Sequence, residues 1–354
     1  MASASTAFTS LPLIDVSGLY SDKSSDRIAV ADRLGKAARE VGFFYVTGHR
    51  VDGEMRARLL DQTKRFFAQP VERKMDVYIG NSTNHRGYVP EGEEVLVGGK
   101  RDKKEALDLG RDLPADHADV VAGTPMIGPN QWPELDGFRE DITAYYDAVF
   151  ELGRRLLTGF ALALGKEEGF FQRFVTRPPS QLRLLHYPFD ATAEDVQGFG
   201  AHTDYECFTL LLPTAPGLEV MNGEGAWVDV PLVPDAFVVN IGDMMEVWTN
   251  GQFVATSHRV RKVQEERYSF PLFFACDYDT VVAPLDELIA PGDAPRFEPI
   301  RAGEHLFAQT VQSFTYLRER LARGEIVLPK NAKALSSFGQ AARHDAPTGK
   351  AGHG

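Results

Sequence analysis

From Pro178-Pro179 onward the chain is cut into short stretches rich in β-branched and aromatic residues, each bounded by Gly, Pro or Asp. They are Leu182–Tyr187, Phe208–Leu212, Trp227–Val230, Phe237–Ile241, Phe253–Ala255, Tyr268–Phe274 and Thr280–Ala283. Short strands in such numbers bury their apolar faces by stacking as a sandwich or jelly roll. The first half has a different texture. Ile28, Ala31, Leu34, Ala38 and Val41 recur at helical spacing up to Gly42, and Phe43–Val46 then reads as a buried strand. A second helix is expected through Met55, Leu59, Leu60 and Thr63 to Phe66-Phe67, and a long one from Phe138 to Phe160, ending near Gly165. The Gly-rich, charged region from Tyr78 to Thr124 reads as a long excursion with short elements, a usual place for substrate contacts. His305–Arg323 returns to a helical pattern.

The expected fold is therefore α+β, a sandwich or jelly-roll core with flanking helices. Residues 8–178 form a mixed helical region packing on the core, 179–300 the core itself, 301–338 a C-terminal helix over the site, and 339–354 a disordered tail. A net charge of −12 would repel nucleic acid and anionic membranes, and no stretch is apolar enough to span a bilayer. The two cysteines, Cys207 and Cys276, form no disulfide framework, and Met1–Ser10 lacks the basic flank and apolar run of a signal peptide. A cytoplasmic protein acting on a small molecule is expected, with a monomer favoured.

Among nine histidines, two have informative neighbours. In His202-Thr-Asp204 the imidazole and carboxylate stand at i and i+2, which on an extended segment point the same way. His258, behind a strand candidate, is far enough along to arrive from a facing strand. Two imidazoles and one carboxylate leave open positions on an octahedral metal, the arrangement of non-haem iron(II) oxygenases. Arg267-Tyr-Ser269 lies nine residues after His258, and on a strand its arginine and serine share a face suited to gripping a carboxylate.

With these motifs in place the chain resembles the isopenicillin N synthase-like branch of the iron(II)/2-oxoglutarate-dependent oxygenases. Leu11–Asp15, Gly42–Val46, Gly128–Pro133, Leu182–Pro188, Ala201–Asp204, Asn240–Asp243, Ser257–Val260 and Arg267–Phe270 match in order and spacing. The resemblance implies a distorted double-stranded β-helix, with His202, Asp204 and His258 as iron(II) ligands. Arg267 and Ser269 would take the far carboxylate of 2-oxoglutarate, and Tyr187 would be a third contact. One departure is Leu185, where many relatives carry Asn. The implied chemistry consumes O2 and 2-oxoglutarate, releases succinate and CO2, and hydroxylates, desaturates or cyclises a small polar metabolite. Two alternatives keep the fold: an oxidase using O2 without 2-oxoglutarate, and a non-catalytic ligand binder.

A narrower similarity is to the bacterial ethylene-forming enzyme, carried by Gly87-Tyr-Val89 and Gly92-Glu-Glu-Val95. It implies that Glu94 meets a substrate cation, with Arg183 and Tyr205 in the same pocket. Gln312 and Phe314 stand where that enzyme has an arginine and a tyrosine, so arginine oxidation and ethylene formation are not expected here.

Overall fold

The computed structural model describes residues 6–95, 104–189, 201–261 and 265–329. The expected disordered tail lies outside them. Thirteen described strands run in chain order: β1 (Leu13–Asp15), β2 (Phe43–Thr47), β3 (Gly87–Val89), β4 (Glu105–Gly110), β5 (Gln181–Tyr187), β6 (Phe208–Pro213), β7 (Leu218–Met221), β8 (Trp227–Asp229), β9 (Phe237–Ile241), β10 (His258–Val260), β11 (Arg267–Phe274), β12 (Val281–Val282) and β13 (Ile300–Arg301). Eight of them make the main sheet, in the order β1-β2-β9-β6-β11-β5-β4-β3, and β10-β7-β8 make a smaller facing sheet. All pairs are antiparallel except β1 with β2. This is a jelly roll with helices packed on one side.

The helices are α1 (Ser24–Glu40), α2 (Gly53–Phe67), α3 (Val71–Met75), α4 (Ala118–Val121), α5 (Phe138–Ala163), α6 (Asp243–Trp248), α7 (Ala302–Ser313) and α8 (Thr315–Ala322). None among the described residues is long and apolar enough to cross a membrane. The apolar stripe of α5, including Tyr145, Val149, Leu152, Leu156 and Phe160, joins α1, α2 and the outer face of the main sheet in one core. Burying side chains of this size contributes about 1.5–3 kcal/mol each, so these helices are integral to the sheet's stability. Gly42 ends α1 with φ +73°, and a Cβ there would collide with the Val254 carbonyl oxygen, so only glycine lets the chain turn directly into β2. The inner face of the main sheet carries Phe43, Tyr45 and Val238, which pack on Leu218, Val220 and Val230 of the smaller sheet and its continuation.

Two local expectations change, and the short elements of the excursion take a definite place. The 78–124 excursion supplies β3 and β4 to the edge of the main sheet. Its strand pattern is hidden in the sequence because Asp108, fully buried, sits directly across from Arg183 in the ladder. Phe253–Ala255 is buried but not a strand: Val254 N donates to the Ala38 carbonyl and Ala255 N to the Glu246 carboxylate. The expected helix His305–Arg323 divides into α7 and α8 at Phe314, whose φ −115° and ψ 131° are extended. That break is held from outside. Val95 N donates to Ser313 O (2.8 Å), Thr315 N to Glu93 O (3.0 Å) and Tyr316 N to the Glu93 carboxylate (2.8 Å), which ties the Gly92–Val95 loop to the C-terminal helices.

Candidate active site

His202 and His258 face each other across a single antiparallel bridge, each backbone N–H donating to the other's carbonyl at 3.1 and 3.0 Å. The bridge sets the two imidazole rings 4.3 Å apart between centroids. Asp204, two residues on, brings Oδ1 within 3.6 Å of Nε2 of both histidines. One donor atom from each residue lies within 4.8 Å of the others, and no other such cluster of His, Cys, Asp or Glu occurs among the described residues. The Nδ1 of His258 lies 3.3 Å from the Thr256 carbonyl, which turns its Nε2 toward the centre.

The second carboxylate oxygen of Asp204 is committed elsewhere. Oδ2 accepts from Thr209 Oγ1 (2.5 Å) and Asn240 Nδ2 (2.7 Å), residues paired directly across β6 and β9. Burial alone would raise the Asp204 pKa, but His258, His202 and the two hydrogen bonds outweigh it and hold the group below the usual carboxylate range. An anionic oxygen and two imidazole nitrogens, without thiolate, suit iron(II) with open positions left for other ligands. Asn240 lay inside a quoted motif without a role, and Thr209 had no signal apart from its strand. Because such partners orient a metal ligand, Asn240→Ala is expected to weaken iron(II) binding about 10–100-fold, as measured by competitive iron titration. Unchanged affinity would mean the Asp204 carboxylate is oriented by the backbone alone.

Further along the same cavity, Arg267 opens β11 directly across from Tyr187. Its guanidinium lies 4.4 Å from the centre of the Tyr187 ring. Arg267 and Ser269 are each only 2% exposed, yet Nε and Nη1 of Arg267 have no hydrogen-bond partner among the described residues. A buried donor left unpaired costs about 1–3 kcal/mol, more when charged, so this arginine is shaped for an anion that is not part of the protein. A carboxylate matches the fork. Tyr187 enters as a ring stacked on the guanidinium.

The cavity lies between the two sheets. Leu185, Leu211, Leu218, Val260 and Phe273 supply apolar walls, and at another part of the lining stand Arg183 and Lys104. Arg183 donates through Nε and Nη2 to Asp108 at 2.7 and 2.9 Å, and through Nη1 to Glu94 at 3.1 Å. Lys104 Nζ lies 3.2 Å from the same Glu94 oxygen. Burial would raise the Glu94 pKa, but Arg183 and Lys104 override it and take it down to about 2. Phe314 packs with its ring 5.4 Å from the Arg183 guanidinium, and its backbone bridges to Glu94. His85, buried and kept neutral by burial and by Arg183, accepts from or donates to the Tyr316 hydroxyl at 2.7 Å behind the cluster.

Thus Glu94, Arg183 and Phe314 come together, but Glu94 stands behind the lining with both protein cations on one oxygen. A substrate cation could reach that oxygen only by displacing one of them. Tyr205 is half-buried and edge-on to His305 at 5.8 Å, and Gln312 Nε2 donates to the Ala308 carbonyl of its own helix; neither lines the cavity. Lys104 and Asp108 were missed. The first sits within a run of charges, Lys100–Glu105, typical of a solvated loop, and the second is a buried acid in an excursion.

Comparison with known proteins agrees with this chemistry. Residues 11–135 match the N-terminal domain described as that of a non-haem dioxygenase in morphine synthesis, and residues 178–275 match the 2OG-Fe(II) oxygenase superfamily. The 2-oxoglutarate-Fe(II) type oxidoreductase hxnY of Emericella nidulans is 36% identical over 317 residues, covering 86% of this chain and 91% of that one. Homoarginine-6-hydroxylase 2-ODD-233 of Oryza sativa is 34% identical, covering 87% and 98%. Among solved structures, a 2OG-Fe(II) oxygenase family protein from Caulobacter crescentus superposes with a TM-score of 0.75 at 32% identity, covering 89% and 99%. A full-length Neurospora crassa protein solved in complex with alpha-KG superposes at 0.73 and 25%, covering 90% and 98%. With the triad, the orphaned arginine and these relatives together, the chain belongs to the iron(II)/2-oxoglutarate-dependent oxygenases and is a non-haem iron dioxygenase.

Proposed function

We propose that this oxygenase hydroxylates a small polar metabolite held between the two sheets, within the isopenicillin N synthase-like branch of the family. In this reading His202, Asp204 and His258 hold the iron, and Arg267 and Ser269 hold the far carboxylate of 2-oxoglutarate over the Tyr187 ring. The observation that carries it is the pairing, in one cavity, of a three-donor metal cluster with a buried arginine whose donors await an anion. Relatives named for hydroxylating homoarginine, at 34% identity in Oryza sativa and in Arabidopsis thaliana, support a small polar substrate.

When bound, iron(II) and 2-oxoglutarate supply the oxidation of a C–H bond by O2, with succinate and CO2 released. The protein's own residues do the rest. Thr209 and Asn240 fix the Asp204 carboxylate so that only Oδ1 faces the metal position. Arg267 neutralises and orients the co-substrate's far end, and the stacked Tyr187 limits its motion. Leu185, Leu211 and Phe273 keep water from the space between, where it would quench the reaction.

Iron-loaded enzyme supplied with 2-oxoglutarate and a cell extract separated by size is expected to release succinate in response to the small-molecule filtrate. Stimulation by the protein retentate alone would replace this reading with modification of a protein side chain.

A further inference from the structure

We propose that the substrate carries a carboxylate, and that Arg183 and Lys104 form the subsite that binds it. This deepens, and rests on, the reading of the cavity as the site of a small-molecule oxygenase.

Among the described residues the cavity lining holds three cationic side chains, Arg267, Arg183 and Lys104, and its one acid is the metal ligand Asp204. Arg183, Leu185 and Tyr187 alternate along β5 and so share its inner face, while Leu184 packs into the outer core and His186 bonds to Glu105 on that outer side. At a strand rise of about 3.3 Å per residue, Arg183 lies roughly 13 Å along the strand from Tyr187, the partner of Arg267. One small dicarboxylate cannot have its far carboxylate on Arg267 and also serve Arg183. The second cationic group therefore belongs to a different ligand, with Leu185 as the apolar floor between the two.

Arg183 is built as a positioned donor. Its side chain is 9% exposed and stands opposite Asp108 in the ladder, with a bidentate pair that fixes the guanidinium plane. Glu94 takes a third N–H. A guanidinium carries five N–H donors, so two remain beyond these three described bonds. Lys104 is held beside it through the shared Glu94 oxygen, which places an ammonium and a guanidinium next to each other at the cavity wall. Glu94 and Asp108 make this arrangement tolerable by neutralising two cations that would otherwise repel. Neither lines the cavity. Among the described residues, what an entering substrate meets at this wall is the guanidinium of Arg183 and the ammonium of Lys104, so the complementary group is an acceptor anion, and two adjacent cationic donors match the two oxygens of a carboxylate.

The test starts from the small-molecule filtrate that stimulates succinate release. Converting its carboxylates to methyl esters, with fresh 2-oxoglutarate added afterwards, is expected to abolish stimulation while leaving amines and neutral compounds unchanged. With the active compound isolated, Lys104→Met is expected to raise its KM about tenfold or more, because a charge-assisted hydrogen bond is lost. Lys104→Arg should recover most of that loss. The KM for 2-oxoglutarate should stay within about twofold of wild type, which also shows that the variant is folded and that the two subsites are separate. Full stimulation by the esterified filtrate, or an unchanged substrate KM in Lys104→Met, would overturn the carboxylate subsite and leave the oxygenase reading standing. No stimulation by the untreated filtrate would instead overturn the small-molecule reading on which it rests.

Discussion

Asp204→Ala is expected to lose most of its bound iron(II) and all measurable turnover. The loss should exceed the roughly 10–100-fold effect of removing a residue that merely supports a ligand, because one of three donors disappears and the charge opposing the metal goes with it. The surroundings aggravate the change. Thr209 Oγ1 and Asn240 Nδ2, which donate to Asp204 Oδ2, would be left facing a methyl group in a buried site. Iron content after desalting and succinate release under saturating 2-oxoglutarate are the measurements. A variant that keeps wild-type iron and activity would remove Asp204 from the metal site.

The second large effect is expected at Arg267. Each charge-assisted hydrogen bond to a carboxylate contributes about 1.5–3 kcal/mol, and each 1.4 kcal/mol is a factor of ten in affinity. Two buried donors, Nε and Nη1, are unpaired among the described residues. Arg267→Ala should therefore raise the KM for 2-oxoglutarate about a hundredfold or more, with iron binding nearly intact because no metal donor changes. Arg267→Lys should recover only part, since a point charge cannot reproduce the fork. An unchanged requirement for 2-oxoglutarate would assign this arginine to the primary substrate.

The His202–Asp204 pair and the Arg267–Ser269 pair were the most legible placements in the chain, for a geometric reason. His202 and Asp204 are two residues apart, as are Arg267 and Ser269, and short-range spacing on extended segments survives translation into structure. The long helix α5 was equally plain, because its stripe repeats over many turns. What sequence could not convey was pairing at long range. Strand β4 holds Asp108, whose burial is favourable only because Arg183 arrives beside it from β5, and taken alone the acid argued for a loop. The division between α7 and α8 has no local breaker at Phe314; the cause is the Gly92–Val95 segment bonding into the gap from more than two hundred residues away. The same long-range pairing changes the position of Glu94. A carboxylate in a Gly-flanked loop invites a substrate cation, but Arg183 and Lys104 reach it first. Asn240 was visible as a residue but not as a support for Asp204, because its role depends on the register of β9 against β6.

The cavity is expected to couple oxidation of its substrate to decarboxylation of 2-oxoglutarate. The most direct test is the stoichiometry of a single reaction followed for oxygen, succinate and oxidised substrate together, with iron-loaded enzyme and the isolated active compound. One succinate is expected to form for each O2 consumed and each substrate molecule oxidised, and omitting 2-oxoglutarate is expected to stop all three. Oxygen uptake and substrate oxidation that continue without 2-oxoglutarate, with no succinate formed, would contradict it.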